Sequence, residues 1–282
     1  MISLDFKDVD VEVGLPAPHT EKVPIAVLTI DQAPGNRFDL DLINLFSQRL
    51  DEVVASPARA AVMTGTGSTF IDGLDLKWLV GETKTTITNV KKAQKVKPVD
   101  VGIIRIRRFV PAISKFSKKQ FTLRVPLVAA INGSALSAGS FFAAACDWRV
   151  MTNDSHAVIG LGELLAGIPP PIRALEMLLP LLSTHNQTDL IYNSHFLSGD
   201  DAVKIGLVDE VIEPAKVLSQ AEQAAGRFGL IPGYTFSLLK QTIRQPIVER
   251  MDRFSDKWVS EVIKIWSKPE SLAVLRFLAD HS

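Results

Sequence analysis

Residues 125–145 read VPLVAAINGSALSAGSFFAAA, and this stretch decides the fold. Its apolar first part, 125–131, predicts a buried strand that ends at Asn132 and Gly133. Small residues then lead into a predicted helix that runs through Phe141 and Ala145. A buried strand that passes directly into a helix is typical of an α/β sheet with largely parallel strands.

The same pattern occurs earlier in the chain. Residues 60–64 predict a buried strand closed by GTGS, the chain turns over 70–74, and Asp75 begins a short predicted helix. Two further buried strands are predicted, at 24–30 and 147–151. Strands joined through helices indicate the α/β class.

Helical patterns dominate the rest of the chain. One helix is predicted after Asp39, a suitable N-cap. Others are predicted at 172–182, 201–205, 215–227, 234–247 and 248–266. With no clear linker, we expect one domain, with a core at 1–210 and a helical C-terminal region at 211–282.

Composition excludes several classes of protein. The chain carries 31 Lys+Arg and 31 Asp+Glu, so its zero net charge argues against a surface built for nucleic acid. The single cysteine, Cys146, excludes intrachain disulfides and multi-cysteine zinc sites, and it is predicted to be a core residue. The histidines show no metal-ligand spacing and are predicted to be structural or on the surface: His19, His156, His185, His195 and His281.

Neither a signal-peptide pattern nor an apolar run of about 18 residues is present in the sequence. We therefore expect a cytoplasmic protein with no membrane partner.

The charges are unevenly distributed along the chain although its net charge is zero. Residues 84–124 form a basic segment, because they contain twelve Lys or Arg and one acid, Asp100.

Two strand-to-helix junctions have unusual residues, 70–76 and 132–140. Free backbone N–H groups at a helix N-terminus favour negative charge, and two that point at one place form an oxyanion hole. The alternative is that each junction is only a tight turn. Neither matches a nucleotide-binding glycine motif.

The order of motifs resembles the crotonase (enoyl-CoA hydratase/isomerase) superfamily over about 24–277. The matching pieces are Phe70-x-x-Gly73-x-Asp75-Leu76-Lys77, Pro126-Leu127-Val128-Ala129-Ala130-Ile131-Asn132-Gly133, Cys146-Asp147 followed by Ile159-Gly160, Glu163 followed by Gly167, and Ala202-Val203-Lys204-x-Gly206-Leu207-Val208. The resemblance implies the crotonase (ClpP/crotonase-like) fold of stacked ββα turns. It also implies an acyl-CoA substrate, no separate cofactor, and a homotrimer or hexamer.

The resemblance further implies site residues. The Leu74 and Ala138 amides would form the oxyanion hole, with alanine where many members have glycine. The substrate pocket would include Asp72, Gly73, Gly139 and Phe141. The C-terminal region, 211–282, would complete the CoA site and mediate trimerisation.

The expected catalytic residue is Glu163. Hydratases of the family use two glutamates to activate water, and Phe141 stands at the position of the first one. A single carboxylate beside an oxyanion hole suits proton transfer from C2 to C4 of a 3-enoyl thioester, as in the Δ3,Δ2-enoyl-CoA isomerases that the stretch around Glu163 resembles. We expect desolvation to raise the pKa of Glu163.

Three further residues and one segment have predicted roles for which an alternative stays open. Asp72 is either an acid near the thioester or a turn residue facing solvent, and the turn is favoured. Arg37 and Lys77 are predicted to bind CoA, with a solvated surface as the alternative. The basic insertion, about 82–124, is expected to cover the site and attract CoA phosphates, or else only to face solvent or pair with an acidic neighbour.

Other functions stay open at this point. They are enoyl-CoA hydration, thioester hydrolysis, decarboxylation, and a non-catalytic role in which the basic segment binds RNA. We expect no nucleic-acid partner, because the segment has only Phe109, Phe116 and Phe121 as aromatic residues, at spacings that also suit helix packing.

Overall fold

The computed structural model describes residues 1–14, 18–81, 100–253 and 255–281. The strands are β1 (Ile2–Val13), β2 (His19–Ile30), β3 (Ala60–Gly65), β4 (Thr69–Asp72), β5 (Leu127–Ile131), β6 (Ser134–Leu136), β7 (Trp148–Thr152), β8 (Ile159–Gly160), β9 (Phe196–Leu197) and β10 (Glu210–Ile212). The helices are α1 (Leu40–Ala55), α2 (Leu76–Val80), α3 (Val101–Phe121), α4 (Ala138–Ala144), α5 (Ile172–Leu178), α6 (Thr184–Tyr192), α7 (Gly199–Lys204), α8 (Val217–Gly229), α9 (Gly233–Arg253), α10 (Ser255–Trp266) and α11 (Pro269–Asp280).

Two sheets organise the molecule. The large sheet has the order β1-β2-β3-β5-β7-β10, and the small sheet has the order β4-β6-β8-β9. From β2 to β10 the neighbours in the large sheet are parallel, as are β4, β6 and β8 in the small one. The four predicted strands are present as β2, β3, β5 and β7, which confirms the α/β class.

Successive chain segments repeat one unit. β3 and β5 each lie in the large sheet and are followed at once by a strand of the small sheet, β4 or β6, and then by a helix, α2 or α4. β7 and β8 repeat the strand pair. These are the expected stacked ββα turns, and they bring the starts of successive helices together on one side of the small sheet.

The large sheet is buried on both faces because its side chains alternate between two cores. In β3, Ala61 and Met63 join the core shared with the small sheet and most of the helices. Ala60 and Val62 point to the other face, where α8 covers the sheet. The expected boundary at 210 falls inside β10, and α8 belongs to the sheet layer, so the separate helical part begins at α9.

Several elements differ from the sequence prediction. β1 was not predicted, and it pairs antiparallel with β2 along its whole length. The predicted boundary between two helices at 247 and 248 is wrong, because α9 runs through Pro246 as far as Arg253. α6 and α11 were not predicted either. The predicted N-cap Asp39 is confirmed, since its side chain accepts a hydrogen bond from the Leu42 N–H of α1. The short helix predicted to begin at Asp75 is present as α2, and the Asp75 side chain caps it by accepting from the Trp78 N–H.

Most of the basic segment that the structure describes is one helix, α3, which packs against α1, α2, α5 and α10. Two of its lysines pair with acids on other elements, Lys118 with Asp252 and Lys119 with Asp51. Five basic residues of the segment, from Lys84 to Lys97, lie outside the described residues. The proposed attraction of CoA phosphates by that part stays a prediction.

The helical C-terminal part exposes apolar side chains. Tyr234, Leu238 and Ile243 of α9 are 81%, 66% and 73% exposed. The expected homo-oligomer stays a prediction.

Among the helices that the structure describes, none combines the length and hydrophobicity needed to span a bilayer.

A buried ion cluster attaches α9 to the sheet. Asp147, at the start of β7, accepts a hydrogen bond from Lys240 at 2.6 Å, from Arg244 at 2.8 Å and from the Leu127 N–H at 2.8 Å. Burial lowers the pKa of Lys240 to about 8, and the negative charge of Asp147 opposes that shift. The neighbouring Cys146 is a buried core residue, as predicted, and burial raises the pKa of its thiol to about 12. Two cations therefore depend on one buried carboxylate.

We predict that Asp147→Asn lowers the free energy of unfolding by about 3–5 kcal/mol, because both cations stay buried without a counter-charge. Asp252→Asn is the control, since its ion pair with Lys118 is half exposed, and it should cost no more than about 1 kcal/mol. Urea unfolding measures both variants. Equal losses in the two would show that the Asp147 cluster is not what attaches α9.

Candidate functional site

Three parallel strands end side by side at the candidate site. In the small sheet Asp72 pairs with Leu136, and Leu136 pairs with Gly160. The chain then continues from these three strands to Leu74, Ala138 and Glu163 respectively. Because neighbouring parallel strands run in register, their carboxyl ends deliver these three residues to one edge of the sheet.

The backbone direction at Leu74 is set by a bridge to Phe38. Phe38 N–H donates to the Gly73 carbonyl at 3.0 Å, and Asp75 N–H donates to the Phe38 carbonyl at 3.0 Å. Since successive N–H groups of an extended chain point to opposite sides, the N–H of Leu74 points away from Phe38. The chain at Leu136 and Ser137 lies close to this segment, because a Cβ on Gly73 would be 3.5 Å from the Ser137 Cβ and 3.6 Å from the Leu136 carbonyl oxygen.

Ala138 is the first residue of α4, so its N–H has no acceptor within the helix. The preceding residue, Ser137, provides no side-chain cap for the helix. The N-terminus of α4 therefore presents an N–H donor that has no acceptor within its own helix, close to the segment that continues from β4 to Leu74. Two donors on adjacent chain segments, one of them at a helix N-terminus, can stabilise a developing oxyanion.

Glycine makes this close approach possible. A Cβ on Gly139 would overlap the carbonyl oxygen of Ile71 in β4. A Cβ on Gly133 would overlap the carbonyl oxygen of Ser68 at the preceding corner. Asn132 ties the two corners together, because its side chain accepts from Gly65 N–H at 3.0 Å and donates to the Gly67 carbonyl at 3.0 Å. The Asn132-Gly133 motif thus holds one ββα turn against the next.

Glu163 lies in a tight turn after β8. Its carbonyl accepts from Ala166 N–H and from Ile168 N–H, both at 3.1 Å. Upstream of the turn, Ser137 N–H donates to the Gly160 carbonyl at 2.8 Å, which extends the pairing of β6 and β8. The backbone of Glu163 is therefore held by hydrogen bonds within its own turn. The strand before it, β8, is held next to the chain that enters α4.

The carboxyl group of Glu163 is deeply desolvated. Only 9% of the residue is exposed, and Oε2 has no hydrogen-bond partner among the residues that the structure describes. Burial raises the pKa of Glu163 to about 7. Hydrogen bonds with its own backbone N–H, with the Ser137 hydroxyl and with Gly162 N–H oppose the shift only in part. The expected rise in pKa is present, and its cause is burial.

A cavity of about 370 Å³ opens beside these groups, and its wall includes Leu74, Ala138 and Glu163. Most of the remaining lining is apolar. It comes from α2, α3, α4, the turn after Glu163, and the helices α10 and α11: Leu76, Ile113, Phe141, Leu165, Ala166, Ile168, Pro171, Trp266, Leu275 and Leu278. A narrow set of polar groups in an otherwise apolar cavity is typical of a small-molecule site.

Asp72 lies on the cavity wall, so the favoured expectation of a solvent-facing turn residue is wrong. Its Oδ2 accepts from Arg37 Nε at 3.0 Å and from Arg37 Nη2 at 2.7 Å. Gly35, next to Arg37 in the same turn, packs against the Asp72 side chain, which explains why the strand end and the turn hold together. Arg37 also lines the cavity and thereby provides a cation at its edge.

Some of the other predicted site residues line the cavity and some do not. Gly73 and Phe141 line the cavity, and Phe141 is 1% exposed. Gly139 does not line it and instead allows α4 to approach β4. Lys77 is exposed on α2 and is not part of the wall, so its contact with CoA stays a prediction. His281, predicted to be structural or on the surface, is exposed, and it also lines the cavity.

Sequence reasoning missed two groups of site residues. Ser137 lines the cavity beside Glu163, and the only signal in the sequence was its place in the junction at 132–140. Trp266, Leu275 and Leu278 form a wall from the C-terminal helices, which the family resemblance predicted only as a region. In the described residues no cluster of three or more potential metal ligands occurs.

Comparison with known proteins gives consistent results. A family model described as enoyl-CoA hydratase/isomerase matches residues 108–256. The chain is similar to the short-chain-enoyl-CoA hydratase of Clostridium acetobutylicum, with 26% identity over 78% of both chains. It is also similar to the mitochondrial enoyl-CoA delta isomerase 1 of Mus musculus, with 25% identity over 80% of this chain and 73% of the relative.

Among solved structures, human mitochondrial Δ3-Δ2-enoyl-CoA isomerase superposes with a TM-score of 0.79. The sequence identity is 21%, and the match covers 91% of this chain and 93% of the other. This likeness confirms the expected fold of stacked ββα turns.

We predict that Glu163→Gln stabilises the protein more at pH 8 than at pH 5. Because the pKa of Glu163 is raised in the folded state from 4.5 to about 7, its contribution to stability is fully present below pH 4.5 and is lost as the pH rises through 7. The unfolding free energy of the variant relative to wild type should therefore increase by about 2–3 kcal/mol between pH 5 and pH 8.

Chemical denaturation at the two pH values measures this difference. Glu270→Gln is the control, because that side chain is 72% exposed, and it should follow the wild type at both pH values. A difference between Glu163→Gln and wild type that does not change with pH would contradict the desolvation of Glu163.

Proposed function

The chain belongs to the enoyl-CoA hydratase/isomerase family, and we propose that it is an enoyl-CoA isomerase. It would move a carbon–carbon double bond from the 3-position to the 2-position of an acyl-CoA thioester. One observation carries the proposal, namely a single desolvated carboxylate, Glu163, in a cavity with apolar walls.

The reaction begins with proton removal. The Glu163 carboxylate takes a proton from C2 of the 3-enoyl thioester. The C2–H electron pair forms a double bond between C1 and C2, and the carbonyl π electrons move onto the thioester oxygen, which gives a dienolate that keeps its C3–C4 double bond. The N–H groups of Leu74 and Ala138 would donate to that oxygen and stabilise the dienolate. A carboxyl with a pKa near 7 suits this step, because it is ionised in a useful fraction at neutral pH and still basic.

The reaction ends with proton return. The protonated Glu163 delivers the same proton to C4, which forms the C2–C3 double bond and regenerates the carboxylate. No water enters the chemistry, so an apolar wall such as Phe141 keeps the proton on the carboxyl and excludes side reactions. The proposed reaction needs no cofactor besides the CoA of the substrate.

Hydration is the nearest alternative within the family. A hydratase holds its water between two carboxylates, and the second carboxylate on this wall is Asp72. The Asp72 charge is compensated by two hydrogen bonds from Arg37, which makes it a poor partner in water activation. This pairing supports isomerisation over hydration.

We predict that 3-enoyl-CoA is converted to 2-enoyl-CoA and that kcat/KM rises with pH through an apparent pKa of about 7, because the base must be ionised. Glu163→Gln should lower kcat by about a thousandfold, since general base catalysis typically contributes 10²–10⁴-fold. The assay follows formation of the conjugated thioester by absorbance.

Glu270→Gln serves as the control and should keep wild-type rates. Faster addition of water to 2-enoyl-CoA than isomerisation of 3-enoyl-CoA would contradict the proposal, and so would full isomerase activity in Glu163→Gln.

A further inference from the structure

The cavity at the candidate site has a buried end and an open end. Its wall along α11 includes Leu275, Leu278 and, at the C-cap of the helix, His281. Residues three apart lie on one face of a helix, so these three follow the same wall. Leu275 is 1% exposed, Leu278 is 36% exposed, and His281 is exposed. The wall therefore runs from the interior at Leu275 to the surface at His281.

Two large buried side chains from other helices also line the cavity. They are Trp266 of α10 and Ile113 of α3, and both belong to the hydrophobic core. The indole Nε1 of Trp266 donates to the Pro169 carbonyl at 2.9 Å, next to Ile168, which lines the cavity too. Because a lining residue without exposed surface lies away from the mouth, Trp266, Ile113 and Leu275 form the inner end of the cavity.

Polar residues mark the open end. Arg37 and Asp72 line the cavity with partly exposed side chains, as does the exposed His281. The CoA part of a thioester is large and charged, so it has to stay at this end and in solvent. The acyl chain then points inward. The inner end offers it an apolar surface, which suits a plain hydrocarbon chain.

The dimensions of the cavity limit the length of that chain. The six residues from Leu275 to His281 correspond to about 9 Å along the helix axis. An extended chain advances about 1.2 Å per bond, so about eight carbons in a row span roughly 8 Å. The volume agrees, because 370 Å³ holds about twelve groups of roughly 30 Å³, the volume of one water molecule. About eight acyl carbons, the thioester oxygen and sulfur, and the two methylenes next to the sulfur account for this number.

We propose that the enzyme acts on short- and medium-chain thioesters, with acyl chains of up to about eight carbons, and that Trp266 and Ile113 set this limit. The inference rests on the proposed function for what happens to the bound chain. The limit itself follows from the shape of the cavity, so it applies to binding as well as to reaction.

Binding of saturated acyl-CoA thioesters tests the limit in the absence of any reaction. Isothermal titration calorimetry measures Kd for butanoyl-, hexanoyl-, octanoyl- and dodecanoyl-CoA. Each methylene that becomes buried tightens binding about fourfold, so Kd should fall in that proportion as far as octanoyl-CoA. Dodecanoyl-CoA should bind about tenfold more weakly than octanoyl-CoA, because its last carbons meet the indole of Trp266.

Two substitutions open the inner end from different helices, Trp266→Leu and Ile113→Ala. Each should tighten the binding of dodecanoyl-CoA by about tenfold and leave that of butanoyl-CoA unchanged, since the short chain does not reach the substituted residue. Because the two residues lie on separate helices, either variant tests the limit if the other does not fold.

Val262→Ala is the matched control. Val262 is buried in α10, the helix of Trp266, but it does not line the cavity. This variant should keep the chain-length profile of wild type. Isomerase assays should show the same profile, with kcat/KM highest for 3-octenoyl-CoA and lower for 3-dodecenoyl-CoA.

A wild-type affinity that continues to rise about fourfold per methylene up to dodecanoyl-CoA would overturn the proposal. Trp266→Leu and Ile113→Ala profiles that match the Val262→Ala profile would overturn it too. A protein that shows the break at octanoyl-CoA and isomerises none of the 3-enoyl-CoA substrates would contradict the proposed function and leave the chain-length limit standing. The two failures are thus distinguishable.

Discussion

Parallel pairing of three short strands, β4, β6 and β8, is the constraint on which the site depends. Their register delivers two backbone donors and one carboxylate to a single edge of the small sheet. The pairing tolerates no side chain at Gly139, where the helix start meets the Ile71 carbonyl. The positions of the two proposed oxyanion donors are therefore set by backbone packing, and a backbone N–H needs no particular side chain at Leu74 or Ala138.

Desolvation sets the basicity of the Glu163 carboxyl group within this geometry. A carboxyl in water would be ionised at neutral pH and weakly basic, whereas burial brings the pKa of Glu163 to about 7. Much of the wall that keeps water away comes from distant parts of the chain, including Ile113 of α3 and Trp266 of α10. Trp266 is itself fixed, because its Nε1 donates to the Pro169 carbonyl at 2.9 Å, close to the turn that carries Glu163. The outer helices thus act on the chemistry by excluding solvent.

Sequence patterns predicted those strands and helix caps that neighbouring residues in the chain determine by themselves. The buried strands at 60–64 and 125–131 and the N-cap Asp39 follow from hydrophobic runs and capping preferences, and they are present. The prediction failed where distant packing decides. Asp72 was expected to face solvent because the sequence contains no sign of its contact with Arg37, 35 residues away. The left-handed backbone of Ser137 was equally unreadable, since serine at such a position is held there by tertiary contacts.

In the proposed reaction, one shielded carboxyl carries a proton between two carbons of the substrate. The most direct measurement uses 3-enoyl-CoA with deuterium at C2 and locates the label in the product by NMR. We expect a measurable part of the deuterium to appear at C4 of the 2-enoyl product, because Oε2 of Glu163 is buried away from bulk water. Complete loss of the label to solvent, or a 3-hydroxyacyl product, would contradict it.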